Sequence, residues 1–229
     1  MRNWKMLPAI LGMMALLAIG LYVAFYFVFL DFFVDLWWFR SLEFEAYFWL
    51  RWLYRFIFSI VVTLFFFAIF MFHFFIASRY LGLNPPDEVL SDNKKRLHFQ
   101  RFADVFMNGS AKIYTPVSLI LAVLIAIPFY LQWEQALLFF FGGNAGINDA
   151  IYGNDIGFYL FSYPIYILIQ KELLLSATVV LLATGLLYWL ENIFVPNQRK
   201  QFPLGAKLHL TVLLGFVALF VIWGFLLER

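Results

Sequence analysis

The chain contains no cysteine and few charged residues, and both shortages narrow what it can be. Without cysteine there are no disulfides, thiolate metal sites, iron–sulfur clusters, covalently attached haem or cysteine nucleophiles. Only 13% of the 229 residues are charged, whereas soluble domains carry roughly 25%. The net charge of +2 is too small to suggest a nucleic-acid partner, and no basic cluster is interleaved with stacking aromatics.

Apolar surface is what the sequence has in abundance. Hydrophobic residues make up 64% of the chain and aromatic residues 22%, including 31 Phe and 8 Trp. A soluble core of this size could not bury so many large side chains, so most of them are expected to face the lipid bilayer. Helices satisfy their own backbone polar groups in lipid and open strands do not. We therefore expect an all-α integral membrane protein.

Five stretches reach the roughly 20 apolar residues that a helix needs to cross the hydrocarbon core. They are 6–30, 56–78, 113–133, 173–190 and 208–227. The first follows Arg2 and Lys5, as a signal peptide would, but its apolar run is longer than the 7–15 residues of a signal core. The sequence therefore predicts a retained signal anchor followed by four further spans in a single transmembrane domain.

The connections are expected to lie at the two membrane surfaces. Range 31–55 mixes four Trp with charged residues, a pattern typical of an interfacial helix or helical hairpin. Range 79–112 is predicted to hold a basic amphipathic helix, capped by Ser91 or Asp92, that suits an anionic leaflet. Range 134–172 is predicted to be an outer loop.

Basic residues set the predicted orientation. Eleven of the 16 Lys and Arg residues lie in the N-terminus, in 79–112 and in 195–207, which face one side of the membrane. Cytoplasmic connections carry such an excess. We therefore expect a multi-pass protein of a bacterial or archaeal cytoplasmic membrane, with the N-terminus in the cytoplasm and the C-terminus outside.

Two histidines are the candidate cofactor ligands. His73 is the only ionisable residue of the second predicted span, and His209 begins the last span on the same side, so the two can approach at similar depth. An ionisable group inside a span is a functional hypothesis by default. A haem held by both or a chlorin held by one is the functional interpretation. The alternative, which we favour, is a neutral histidine that is hydrogen-bonded to a neighbouring helix or reaches to the membrane interface, with no cofactor.

The stretch FGGNAGINDAIYGNDIGFYLFSYP, residues 141–164, interrupts the apolar sequence with turn-forming residues. Its polar groups do not have the D-x-[DN]-x-[DN]-G spacing of a calcium loop, so no metal site is predicted. Glycine and asparagine tolerate the positive φ of tight turns. We expect a turn-forming outer loop over 142–155 and an aromatic entry to the fourth span over 156–164.

Motifs of catalysis and transport are missing. The sequence has no Gly-x-Ser-x-Gly, His-Glu-x-x-His, Walker or dinucleotide motif, so we do not expect an enzyme. Coupled transporters place charged residues inside the membrane. The five predicted spans contain none, and Lys171 and Glu172 are predicted to lie at the outer edge of the fourth.

Three stretches resemble one membrane family in order and spacing. They are DLWWFRSLEFEAYFWLRWLYR, IYGNDIGFYLFSYPIY and KLHLTVLLGFVALFVIWGFLLER. The chain is similar in these to the uncharacterised protein family numbered 0182. The residues that match its signature are Gly153, Asp155, Phe158, Tyr159 and Pro164.

The resemblance implies a membrane block of about seven helices followed by a large extracytoplasmic domain. It implies no reaction, substrate or catalytic residue. This sequence ends at Arg229 after five predicted spans. We therefore expect either a short relative that works as a subunit of something larger or a fragment of a longer protein.

The function predicted from these patterns is a non-catalytic structural or accessory subunit of a larger membrane complex. Its Phe-rich faces exceed what five helices need for one another. One alternative is a cofactor- or pigment-binding subunit of a photosynthetic or respiratory complex, with His73 or His209 as axial ligand. Another is a component of a transport or envelope-biogenesis system, whose sign would be an outer polar groove. The residues expected to line that groove are Asp149, Asp155, Lys171 and Glu172.

Overall fold

The computed structural model describes residues 7–81, 93–108, 110–194 and 203–228. These residues are almost entirely helical and contain no strand. In chain order the helices are α1 (Leu7–Ser41), α2 (Glu45–Tyr80), α3 (Asn93–Ala103), α4 (Ser110–Leu131), α5 (Trp133–Phe141), α6 (Tyr163–Phe194) and α7 (Leu204–Leu227). Short π-helical segments, Asp104–Asn108 and Phe158–Ser162, follow α3 and precede α6. The all-α prediction is confirmed.

The chain divides into two compact units, residues 1–54 and 55–229. In the first, α1 and the start of α2 form a helical hairpin whose turn contains Glu43 at a φ of 63°. Phe48 is 1% exposed and anchors the hairpin, since its ring meets Phe32 edge-on at 5.3 Å and Phe39 at 5.8 Å. The structure thus has a hairpin in the aromatic segment predicted over 31–55.

The core of the second unit is built from apolar stripes at helical spacing. The stripe of α2 includes Phe66, Phe70 and Phe74, all at most 3% exposed. Phe74 stacks on Tyr114 of α4 at 5.4 Å and Phe66 meets Phe129 at 6.0 Å. Because Phe74 pairs with the start of α4 and Phe66 with its end, the two helices run antiparallel.

Helix α6 is central to the second unit. Its buried stripe runs along the whole helix at intervals of three or four residues and mixes apolar with polar side chains. Its members are Ile165, Leu168, Glu172, Ser176, Val180, Thr184, Leu187, Tyr188 and Glu191. This stripe brings polar groups into the bundle, and the candidate site is built on it.

Four helical segments in the described ranges are long and apolar enough to cross a membrane: Glu45–Tyr80, Ala111–Leu131, Phe158–Glu191 and Leu204–Leu227. Their length and composition indicate a membrane protein and suit contact with a lipid bilayer. In α1 a shorter apolar stretch, Gly12–Val23, is found. The predicted count of five spans, the first over 6–30, therefore stays a prediction.

The outer loop predicted over 134–172 is much narrower in the structure. Helix α5 occupies 133–141, and helical backbone resumes at Ile156, so only the segment between them is non-helical. The reason is packing: α5 covers the start of α6, with Phe139 edge-on to Tyr166 at 5.5 Å. The apolar helix begins before Lys171 and Glu172 in the structure, and the predicted start of the fourth span in the membrane, at 173, stays a prediction.

Two further sequence predictions concern residues that lie partly outside the described ranges. Helix α3 lies within the basic connection where an amphipathic helix is predicted, but its proposed caps, Ser91 and Asp92, lie outside the described residues. Most of the connection 195–207 does as well. In α4 the helix continues through Pro116 and Pro128, as a membrane helix tolerates.

Candidate functional site

Three side chains from three helices form a hydrogen-bonded chain inside the second unit. His73 Nδ1 on α2 lies 3.1 Å from His209 Nε2 on α7, and the two rings stack with an interplanar angle of 8°. His209 Nδ1 lies 2.9 Å from the Tyr188 hydroxyl on α6. The structure thus brings together the two histidines that the sequence singles out, and adds a tyrosine.

The chain has two consistent arrangements of protons, because each neutral histidine carries one N–H. In the first, Tyr188 donates to His209 Nδ1 and His209 Nε2–H donates to His73 Nδ1. In the second, His73 Nδ1–H donates to His209 Nε2 and His209 Nδ1–H donates to the Tyr188 oxygen. Either arrangement pairs both ring nitrogens of His209, which is 7% exposed, so its buried polar atoms are satisfied.

Small residues let α2 and α7 come close enough for the contact between the histidines. Ala77 on α2 and Ala206 on α7 are both fully buried, one turn from His73 and His209 respectively. Gly205 lies directly against the ring of Tyr80, so a side chain there would displace that ring. Small residues at helix interfaces allow backbones to approach in this way.

The distance between His73 and His209 can be compared with the distance that a haem bound by both would require. Two imidazole nitrogens on opposite sides of one metal ion, each at roughly 2.0–2.1 Å, stand about 4 Å apart. His73 and His209 have their facing nitrogens at 3.1 Å, hydrogen-bonded to each other. A haem held by both requires the rings to separate first, so the cofactor role of the two residues stays a prediction.

The second polar feature is the loop 142–157, which is organised around Asp155. Its Oδ1 accepts the N–H of Ala145 at 2.9 Å and of Gly157 at 2.6 Å, and its Oδ2 accepts that of Gly146 at 2.8 Å. The Ala145 N–H, followed by those of Gly157 and Gly146, holds the pKa of Asp155 below its ordinary value, against a smaller desolvation effect. The carboxylate therefore pins the two ends of the loop together.

Asp149 plays a related part at the loop tip. Its Oδ2 accepts the Tyr152 N–H at 2.8 Å and the Tyr159 hydroxyl at 3.3 Å. The Tyr152 N–H is the main cause that lowers the pKa of Asp149. Both loop carboxylates are thus used to hold turns, which agrees with the turn-forming character predicted for this stretch.

The structure shows a role, a contact or a position for each of the family-signature residues. Gly153 has a φ of 69°, a left-handed conformation that favours glycine. Tyr159 accepts from the Asn154 side chain at 3.3 Å in addition to contacting Asp149. Phe158 meets Tyr166 at 6.2 Å, and Pro164 is the second residue of α6, just after the π-helical turn Phe158–Ser162.

The outer polar groove expected of a transporter is not formed by its four predicted residues. Asp149 and Asp155 are committed to the loop, whereas Lys171 is exposed on α6 and Glu172 is buried. Fourteen residues of helix separate Phe158 from Glu172, a rise of about 21 Å. That prediction was wrong because it treated the residues before 173 as loop.

Sequence reasoning missed Tyr188, Gln170 and the burial of Glu172. A tyrosine near the end of an apolar span is typical of an interfacial anchor, so its sequence position gave no hint of a histidine partner. Gln170 donates to the Phe220 carbonyl at 2.8 Å and ties α6 to α7. The available signal was the spacing of four residues that puts Glu172, Thr184 and Tyr188 on one i+4 row, which turns slowly round α6.

Apolar helices of membrane-spanning length, packed around buried polar groups, indicate a helical membrane protein. The chain belongs to the Uncharacterised protein family (UPF0182), whose model matches residues 12–229. The predicted family is thereby confirmed.

Relatives in three bacteria illustrate the match. The chain is 44% identical over 191 residues to a UPF0182 protein of Methylococcus capsulatus, covering 83% of this chain and 21% of that protein. It is 43% identical over 203 residues to one of Syntrophobacter fumaroxidans, covering 87% and 23%. It is 41% identical over 230 residues to one of Nitrosococcus oceani, covering 100% and 26%.

The chain spans about a quarter of the length of these curated relatives. No solved structure matches it.

Proposed function

We propose that this chain is a non-catalytic membrane module that acts as a structural or accessory subunit, packing through α1 against a helix of a partner subunit. The observation that carries the proposal is an aromatic ridge on α1. Its members are between 41% and 67% exposed. They are Tyr22, Phe25, Tyr26, Phe29, Phe33 and Trp37.

The ridge is ordered by its own contacts. Phe25 stacks on Phe29 at 4.0 Å, and the series continues through Phe33 to Trp37 at 6.1 and 6.3 Å. The rings border a groove of about 530 Å³ along α1. A groove between aromatic rings can receive the side chains of another helix, which supports helix packing.

The composition of the ridge indicates what kind of partner fits. Its side chains are aromatic, whereas the exposed Asp31 and Asp35 lie more than about 100° round α1 from Phe33 and Trp37, on another face of the helix. A helix that packs on the ridge therefore meets rings and not these carboxylates. The occupant that we propose is an apolar membrane helix.

Replacement of Trp37 and Trp38 by Ala tests this role. Both side chains are more than half exposed, at 66% and 57%, so the double variant should fold and lose only the partner contact. We expect the co-purifying subunit from native membranes to be lost on mild-detergent extraction. Trp189→Ala is the matched control, because Trp189 is 54% exposed on α6. A wild-type chain that runs as a lone monomer would contradict the proposal.

The closeness of His73 and His209 keeps the cofactor-binding subunit as a second candidate. If the imidazole ring of one histidine moves away from the other, a ring nitrogen becomes free to bind a haem or chlorin. The test is the absorption spectrum of protein purified from its native membrane. A Soret band that disappears in His209→Ala favours this candidate, and a colourless preparation ends it.

A further inference from the structure

Glu172 is a buried acid on α6 that neither candidate function uses. The residue is 8% exposed, and its Oε2 has no hydrogen-bond partner in the part of the chain that the structure describes. A buried polar atom left unpaired is unfavourable, and native proteins contain few. Its presence needs a physical explanation.

Contacts between α6 and α7 place Glu172 at depth in the bundle. Gln170 donates to the carbonyl of Phe220, and a Cβ added to Gly224 would meet the Gln170 side chain at 2.7 Å, so residue 170 is level with that turn of α7. Glu172 lies about 3 Å further in, at 1.5 Å per residue. It is therefore about 10 Å from Leu227, the end of the apolar helix α7.

Side chains on α6 itself do not neutralise this acid. The hydroxyl one turn away, Ser176 Oγ, donates to its own helix at the Leu173 carbonyl, at 2.9 Å. The exposed ammonium of Lys171 is a charge on α6 that acts on the Glu172 carboxylate, but consecutive helical residues point in different directions, and the two form no ion pair within the described residues. Tyr188 and Glu191 lie about 24 and 28 Å further along α6.

The helices packed around α6 bring few charges near Glu172. Helix α7 has no charged or titratable residue between His209 and Glu228. Helix α4 has none after Lys112 except Tyr114 and Tyr130, and the charge of α5 is the exposed Glu134.

The remaining charges belong to α2 and to the α3 region. The guanidinium of Arg55 on α2 lies 3.9 Å from the centre of the Tyr130 ring. The charged residues of α3 and its π-helical extension are Lys94, Lys95, Arg96, Arg101 and Asp104. They precede α4 and are near the end of it that contains Tyr114, since Tyr114 donates to the Phe106 carbonyl at 3.0 Å.

An ionised carboxylate in such surroundings is strongly unfavourable, whereas the neutral acid is tolerated. We propose that Glu172 is a proton-binding site inside the helix bundle, at which the carboxylate takes up one proton reversibly and rests as the neutral acid. Intramembrane acids of this kind serve proton relays in pumps and transporters. Ser176, Thr184 and Tyr188 continue the same stripe towards His209, so hydroxyl groups follow the acid along α6.

Carbodiimide labelling tests the protonation state directly, because these reagents add to protonated carboxyl groups. The chain in lipid nanodiscs at pH 7 is treated with lipophilic dicyclohexylcarbodiimide or with a water-soluble carbodiimide, and the Glu172 peptide is read by mass spectrometry. We expect the lipophilic reagent alone to modify Glu172, and the adduct to decline as pH rises. Glu172→Gln should remove the adduct, and Glu134→Gln on α5 should leave it unchanged.

Three results would overturn the proposal. They are no reaction with the lipophilic reagent, equal reaction with the water-soluble one, and protection by sodium at constant pH, which would assign a cation instead of a proton.

Infrared spectroscopy gives a second readout that needs no modification. A protonated acid in the wild-type chain shows a carboxylic C=O stretch, which should decrease as pH rises and be absent in Glu172→Gln. If that variant fails to fold, isotope-edited spectra of the wild type with labelled Glu decide by themselves. A band that never titrates, or none at all, would refute proton binding here.

Discussion

Tyr188→Phe tests the hydrogen-bonded chain because it removes one oxygen and keeps the ring. Tyr188 is 1% exposed, and its hydroxyl makes the 2.9 Å contact with His209. Phe fills the same space, so no cavity term is added. The loss is then one hydrogen bond plus an unpaired nitrogen on the buried His209.

The size of this loss can be bounded. Hydrogen bonds between membrane helices average about 0.6 kcal/mol and reach about 1.7, and an unsatisfied buried group costs roughly 1–3 kcal/mol. We expect the free energy of unfolding to fall by about 1–1.5 kcal/mol. That is roughly a tenfold change in the folding equilibrium constant.

Reversible unfolding in bicelles, monitored by steric trapping, measures this change in the free energy of unfolding. Tyr152→Phe is the matched control, because Tyr152 is 63% exposed in the loop and should give no measurable loss. Phe70→Ala sets the upper scale, since Phe70 is fully buried and a cavity there should cost about 3–5 kcal/mol. A loss in Tyr188→Phe no larger than that of Tyr152→Phe would refute the hydrogen-bonded chain.

Three further predictions concern the loop and the α6–α7 contact. Gly153→Ala should destabilise the loop by about 1–2 kcal/mol, because its φ of 69° disfavours a Cβ; amide hydrogen exchange should show faster opening than in the control Gly143→Ala. The pKa of Asp155 is held low by N–H groups of the loop, so loop order should persist at neutral pH and be lost as pH falls through that lowered value. NMR of the loop amides measures this, and an Asp155→Asn loop whose order still follows pH would contradict it. Gly224→Ala should displace the Gln170 side chain from its 2.8 Å hydrogen bond to α7. The free energy of unfolding should fall by about 1 kcal/mol. An unchanged free energy in the same unfolding assay would count against this contact.

Local sequence patterns predicted much of the fold. The long apolar runs indicate helices because only a helix pairs its own backbone in lipid, and the glycine and asparagine spacing of 142–155 indicates turns. The approach of His73 and His209 was also predictable, since His73 lies near the end of α2 and His209 near the start of α7, on the same predicted side of the membrane. These inferences need only the period of a helix and the chemistry of one segment at a time.

The sequence analysis and the structure differ at the start of α6, where two charged residues lie. Lys171 and Glu172 mark a natural stop for an apolar run, so the fourth span was predicted to begin after them. In the structure α6 begins earlier and buries Glu172, because α7 packs against this part of the helix through the Gln170–Phe220 contact. Whether a neighbouring helix covers a residue is a long-range property that no local window contains.

The sequence by itself determined that this chain is a helical protein with several membrane-length segments, a turn-rich loop and the signature of its family. Each of these follows from composition, period and spacing along the chain. Only the tertiary structure decided that Tyr188 joins the two histidines, that Asp155 pins amides ten residues away, and that Glu172 lies buried without a partner for Oε2 among the described residues. Hydrogen bonds and burial depend on distances of a few ångströms between distant segments, and packing alone sets those distances.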